Sequence, residues 1–193
     1  DRIADVMKQA MVDIEDQRFW EHGAIDLEGT LRALVRNASA GSVQEGGSSI
    51  TQQLVKQTLL QTAETPEERQ AATEQSVGRK LKEARLALSL EQEYPKEEIL
   101  TRYLNTVYFG EGAYGVQAAA RAYFGVDAAD LTLPQAAMLA GLVQNPATDD
   151  PIDDPQKGRA RRDEVLERMH SLGHISDQEF ADAYAREFYA RRQ

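Results

Sequence analysis

An all-α fold is what this sequence predicts, and three features point that way. Apolar residues recur at spacings of three and four along most of the 193 residues, as on one face of a helix. Alternating Val, Ile and Thr runs bounded by hairpin turns are scarce. Helix-start chemistry, a hydroxyl residue followed by Pro or by an acid or amide three residues on, precedes several of the apolar runs. Composition sets the outer limits. Hydrophobic residues at 41% and charged residues at 28% suffice for a sizeable core, and the length suits one domain, so disorder and fibrous repeats are poor fits. A formal charge of -10 means that the average surface repels nucleic acid and anionic lipid. With no cysteine, disulfides, thiol nucleophiles and Cys-zinc sites are excluded. No run approaches the 18 or so apolar residues of a membrane span.

The elements follow in order. Ile3, Val6, Met7 and Ala10 are at helical spacing from the outset, which suggests a segment of something longer. The pattern continues through Met11, Val12 and Ile14 to Glu15-Asp16, followed by Arg18, Phe19, Trp20, His22 and Gly23. Leu27, Leu31, Leu34 and Val35 form another helical pattern within Ala24 to Glu45, which then loosens into small residues. A helix with a flexible tail packed on the core and a mobile flap beside a site both fit that stretch. Thr65-Pro66-Glu67-Glu68 opens a helix into the low seventies. Residues 76–93 carry Leu81, Ala84, Leu86, Ala87, Leu88 and Leu90 around most of the circumference, and a helix apolar nearly all round belongs in the core. Helical spacing resumes from Lys96 to Phe109; Gly110, Gly112 and Gly115 mark a turn region. Helices are then expected at Val116 to Tyr123 and at Leu131 to Leu142, the second opened by Thr132, Pro134 and Gln135. Three prolines and four aspartates make 145–155 a surface loop. Lys157, Arg159, Arg161 and Arg162 read as a solvated helix start, and Ser176 with Glu179 caps a last helix to about Ala190.

Three stretches could carry chemistry. In the first, a carboxylate at Glu15 beside apolar rings could take or give protons, although an acid pair closing a helix is an ordinary structural feature too. In the second, Gly46 to Gln53 allows close backbone approach at a helix start whose first N–H groups form an anion site, with Lys56 one turn further on. A plain helix start with soluble side chains is the competing reading, and no Gly-Lys-Ser/Thr makes it a Walker loop. In the third, Arg79, Lys80, Lys82 and Arg85 surround Glu83, either as surface ion pairs or as a positive island suited to a diphosphate. His170 and His174 have i,i+4 spacing, but Gly173 between them and the lack of a third ligand argue against a metal there.

Together these stretches resemble the peptidoglycan glycosyltransferase domain, family 51, of class A penicillin-binding proteins and monofunctional transglycosylases. Five stretches fall in the family's order: Ile14 to His22, Gly46 to Gln53, Arg79 to Glu83, Lys96 to Asn105 and Arg162 to Met169. Tyr108-Phe109-Gly110 and Ala122-Tyr123-Phe124-Gly125 are also typical. The resemblance implies a lysozyme-like helical lobe with a small, flexible, membrane-facing lobe around 24–45, within a domain that spans 1–193. It implies inverting polymerisation of lipid II into glycan strands with release of polyprenyl diphosphate. Glu15 matches the general base, and Glu83 the second acid near the donor diphosphate, acting directly or by orienting cations or a divalent metal such as Mg or Mn. Lys56, Arg79, Lys80 and Lys82 would hold the diphosphate, and Ser48, Gln52, Gln53 and Tyr123 correspond to cleft-lining positions. It further implies a membrane surface on the extracytoplasmic face, no tightly bound cofactor, no nucleic-acid partner, a following transpeptidase domain and inhibition by moenomycin. One departure stands out: many members have an Arg where this chain has Gln75, after a long acidic stretch at 62–74. A lysozyme-like hydrolase and a catalytically silent membrane- or partner-binding module are the alternatives.

Overall fold

The computed structural model describes residues 2–24, 47–74 and 76–186, and all the described regular structure is helical apart from one isolated bridge between Tyr108 and Tyr114. The helices are α1 (Asp5–Glu15), α2 (Ile50–Thr62), α3 (Pro66–Thr73), α4 (Val77–Glu93), α5 (Lys96–Thr106), α6 (Val116–Phe124), α7 (Leu133–Leu142), α8 (Pro155–Ser171) and α9 (Asp177–Ala185). The all-α reading is therefore borne out. The expected flap at 24–45, apart from Ala24, and the departure at Gln75 lie outside the described residues, as does the stretch of the last helix beyond 186. Two compact units make up the chain: Asp1–Gln17 with Leu104–Gln193, and Arg18–Tyr103.

The first unit is organised by α7. Its sequence, LPQAAMLAGL, has no charge, and Ala136 to Leu142 are all buried. Thr132 and Gln135 close a capping box with Pro134 in the first turn, so the opening residues read from sequence are the observed ones, and the helix begins at Leu133, two residues after the expected Leu131. Helices α1 and α8 both pack on α7, α8 most extensively, and α9 rests on α8. At Gly141 a Cβ would stand 3.1 Å from the Arg161 carbonyl oxygen, so the small residue lets the two backbones cross closely.

Arg162 departs from the solvated helix start expected for 157–162. Its side chain is fully buried and donates to Asp163 Oδ1 at 2.6 and 2.9 Å, to the Arg186 carbonyl at 2.7 Å and to that of Tyr184 at 3.2 Å. The last carbonyls of a helix have no partner within it. Arg162 supplies one from α8 to the end of α9, which is why a charge sits inside; Lys157 and Arg159 remain exposed.

Gly115 is the N-terminal cap of α6 at φ 85°, and its N–H donates to the Val107 carbonyl at 2.8 Å. A Cβ there would lie 2.5 Å from the Asn105 carbonyl oxygen. Gly115→Ala is therefore expected to cost about 2 kcal/mol, seen as a fall in Tm of roughly 4–8 °C. An unchanged melting curve would show that the backbone of this turn yields.

In the second unit, α2 packs on α3 and α4. Ala24, Val55 and Ala87 form its small apolar cluster, with Leu59 and Leu90 against it. The expectation that α4 is a core helix is overturned: Leu81, Leu86 and Leu88 are 66%, 37% and 48% exposed. The inward stripe runs through Arg79, Glu83 and Ala87, four residues apart, and the first two satisfy each other's charge. Leu81 and Leu88 lie on the opposite side. Counting apolar residues around the circumference could not foresee that an ion pair would take the inner face.

Candidate active site

The start of α2 is built by its own side chains. Ser49 caps the helix: its Oγ accepts from Gln52 N at 3.2 Å and donates to the Ala24 carbonyl at 2.6 Å, while Gln52 Oε1 accepts from Ser49 N at 2.9 Å. Gln53 Nε2 donates to the Ser48 carbonyl at 3.3 Å, and its Oε1 accepts from the Tyr103 hydroxyl at 2.9 Å. Both glutamines, expected at a cleft wall, thus shape the turn that presents Ser48. The exposed Lys80 reaches from α4 and donates to Ser48 Oγ at 3.2 Å. An ammonium beside a helix N-terminus is chemistry that suits an anion. Lys56 stands one turn along α2, half-buried, and Lys82 is exposed on α4.

Arg79 and Glu83 do something else. Their side chains are 5% and 4% exposed, and Arg79 Nη1 donates to Glu83 Oε1 at 2.5 Å. Arg79 Nε donates to the Glu74 carbonyl, at the end of the stretch before α4. The guanidinium expected to face a diphosphate is instead committed to a carboxylate and a carbonyl, which is how a buried pair meets its desolvation cost. A second network ties the same unit together: Glu91 Oε1 accepts from Thr51 Oγ1 at 2.6 Å and from Lys96 Nζ at 2.8 Å, and Lys96 Nζ lies 4.5 Å from the centre of the Phe19 ring.

Glu15 is the last residue of α1, in the first unit, and is partly exposed. The chain runs directly on to buried Phe19 and half-exposed Trp20, whose rings meet edge to face at 5.0 Å. Tyr123, expected at a cleft wall, presents no surface: it is fully buried and its hydroxyl donates to the Phe109 carbonyl at 2.9 Å. Burial, reinforced by the nearby Asp150 carboxylate, holds its hydroxyl well above the usual tyrosine range. It is a packing anchor of its unit.

A divalent ion does not fit Glu83 as it stands, because the carboxylate is buried and already faces a guanidinium. Among the described residues, carboxylate oxygens within 4.8 Å of one another occur at Glu111, Asp150 and Asp153. The two histidines at 170 and 174 face separate carboxylates: His170 Nε2 lies 2.6 Å from Asp177, and His174 Nδ1 lies 2.8 Å from Asp13.

A family model described as Transglycosylase matches residues 1–170. The chain belongs to the transglycosylase family. Its relatives include Penicillin-binding protein 1A of Streptococcus pneumoniae (strain ATCC BAA-255 / R6), 44% identical over 93% of this chain and 24% of that protein. Penicillin-binding protein 1A/1B of Bacillus subtilis (strain 168) is 44% identical over 95% of this chain and 19% of that protein. Among solved structures, Penicillin-Binding Protein 1A from Haemophilus influenzae aligns with 73% of this chain and 17% of that one at 29% identity, with a TM-score of 0.49. The chain thus spans about a quarter or less of the curated relatives it matches.

Within this transglycosylase chain, the second unit brings Ser48 and Lys80 into contact and pairs Arg79 with Glu83, while Glu15 and Tyr123 belong to the first. Sequence reading missed the Asp13–His174 pair and the Thr51–Glu91–Lys96 network. The first joins residues 161 apart and the second residues 40 and 5 apart, so spacing along a helix offers no signal for either.

Proposed function

We propose that this domain polymerises lipid II, a disaccharide-pentapeptide carried on a polyprenyl diphosphate, into peptidoglycan strands. The 4-hydroxyl oxygen of the acceptor sugar attacks the donor's anomeric carbon, and a glycosidic bond forms with inversion. The bond from that carbon to the diphosphate oxygen breaks, and the lipid diphosphate leaves with the electron pair. Glu15 takes the hydroxyl proton, a role worth about 10²–10⁴ in rate. Charge accumulating on the leaving diphosphate is met by Lys80, with Lys56 and Lys82 as further cations and Ser48 beside them. Glu83 acts through Arg79, holding the guanidinium on the inner face of the helix that carries Lys80 and Lys82. The reading keeps a membrane surface on the extracytoplasmic side, moenomycin as an inhibitor and a transpeptidase domain elsewhere in the whole protein.

The observation that supports this best is the Lys80–Ser48 contact at the start of α2, an ammonium placed at a helix N-terminus within a transglycosylase sequence. The test is turnover of labelled lipid II, read on a gel. Long strands and one polyprenyl diphosphate released per bond are expected; soluble fragments cut from finished peptidoglycan would instead establish the hydrolase alternative, and neither product would establish the silent module. Lys80→Ala is expected to raise KM for lipid II about tenfold, the loss of one charge-assisted hydrogen bond of about 1.5 kcal/mol. Donor kinetics unchanged in that variant would remove Lys80 from the diphosphate seat.

A further inference from the structure

We propose that Asp13 and His174 are positioning residues that fix the end of α1 and thereby the direction of the Glu15 carboxylate; the proposal rests on the reading of Glu15 as base. Asp13 lies on α1 two residues before Glu15, and its side chain has no exposed surface. A carboxylate withdrawn from water is unfavourable unless its oxygens find donors. Here Oδ1 accepts from Gln9 Nε2 at 2.8 Å, one turn earlier on α1, and His174 Nδ1 stands 2.9 and 2.8 Å from Oδ1 and Oδ2. Gln9 and His174 also touch, at 3.0 Å. Burial pushes the Asp13 carboxyl up from its ordinary range, and the bonds from His174 and Gln9 oppose that rise.

The imidazole is itself held from behind. His174 follows α8 in a turn closed by Gly173 at φ 74°, with Gly173 N–H donating to the His170 carbonyl at 2.9 Å and His174 N–H to that of Met169 at 3.0 Å. Helix α8 is the most extensively packed partner of α7, and the ring follows directly from its end. On the other side of Glu15, Arg168 of the same α8 donates to Gln17 Oε1 at 3.4 Å. The end of α1 is thus gripped by the turn after α8 before the proposed base and by α8 itself after it. Helix ends fray, and a catalytic group must be held to within about 0.5 Å of its working geometry. Apart from His174, the charged group facing Asp13 across the packing is Arg168, since α7 carries none.

The experiment compares His174→Ala, His174→Asn and Glu15→Gln in the 193-residue chain, with kcat and KM for lipid II measured well below each variant's Tm. His174→Ala is expected to lower kcat about 10–100-fold, the scale of a small misplacement, with KM within about twofold. His174→Asn, whose side-chain N–H takes the place of Nδ1–H, is expected to recover kcat to within about threefold. Wild-type kcat in His174→Ala, a loss confined to Tm or to the fraction of folded enzyme, or no recovery with Asn would overturn the proposal. Gln9→Leu removes the other donor and gives the same test, with a severalfold fall in kcat, should His174→Ala fail to fold. Polymerisation by Glu15→Gln would overturn the base reading and this proposal together, whereas an inactive Glu15→Gln beside a fully active His174→Ala overturns the positioning role alone.

Discussion

Glu15→Gln is expected to lower lipid II polymerisation by about 10²–10⁴ and to leave the melting temperature where it was. The two halves of this result have separate physical causes. A general base must accept a proton in the transition state, and an amide of the same shape cannot. Stability should survive because Glu15 closes α1, where the partial negative charge of the helix end opposes a carboxylate and accepts a neutral amide at no loss. The side chain is also partly exposed, so water can solvate the carboxylate and the amide alike. Gel turnover with a parallel thermal melt decides it. Near-normal strand synthesis would remove Glu15 as base, and a large fall in Tm would show that the inactivity of the variant reflects unfolding.

The second large effect is on stability. Glu83→Ala leaves the buried Arg79 guanidinium, among the described residues, with the Glu74 carbonyl as its remaining partner, and breaking such a pair from one side costs about 3–5 kcal/mol. At roughly 2–4 °C per kcal/mol for a chain of this size, Tm should fall by about 6–20 °C. The double variant Arg79→Met with Glu83→Leu is expected to recover most of that stability, because two apolar side chains of similar volume leave no uncompensated charge. It should recover none of the polymerisation, since neither the Glu83 carboxylate nor the guanidinium it holds would remain beside the cations of α4. A double-mutant cycle in Tm and in turnover separates the two roles. Equal Tm in wild type and Glu83→Ala would show that water reaches the pair, and an active double variant would show that it is only structural.

Some elements were legible because their cause is local. Thr65 with Glu68, Thr132 with Gln135 and Ser176 with Glu179 each close a capping box three residues wide, and α3, α7 and α9 begin where those boxes stand. The chemistry-bearing stretches were legible as stretches for the same reason. Their side chains were less so: Gln52 and Gln53 turn back to shape their own turn, Arg79 turns inward to Glu83, and Tyr123 is fully buried with its hydroxyl on a carbonyl. Residue type and spacing say what a side chain could bind, whereas the nearest available partner decides what it does bind.

The helices, most of their starts, the charge pattern and the family's motif order follow from the sequence alone, because each depends on residues within a few positions of one another. Orientation needed the tertiary structure. Leu81 and Leu88 face water while Arg79 and Glu83 lie inside, Arg162 is buried to serve the end of α9, and Asp13 meets His174 across 161 residues. In each case a group that folding withdraws from water must find its complement wherever the chain has brought one. That choice is made by contacts between helices, which the order of residues along any single helix does not contain.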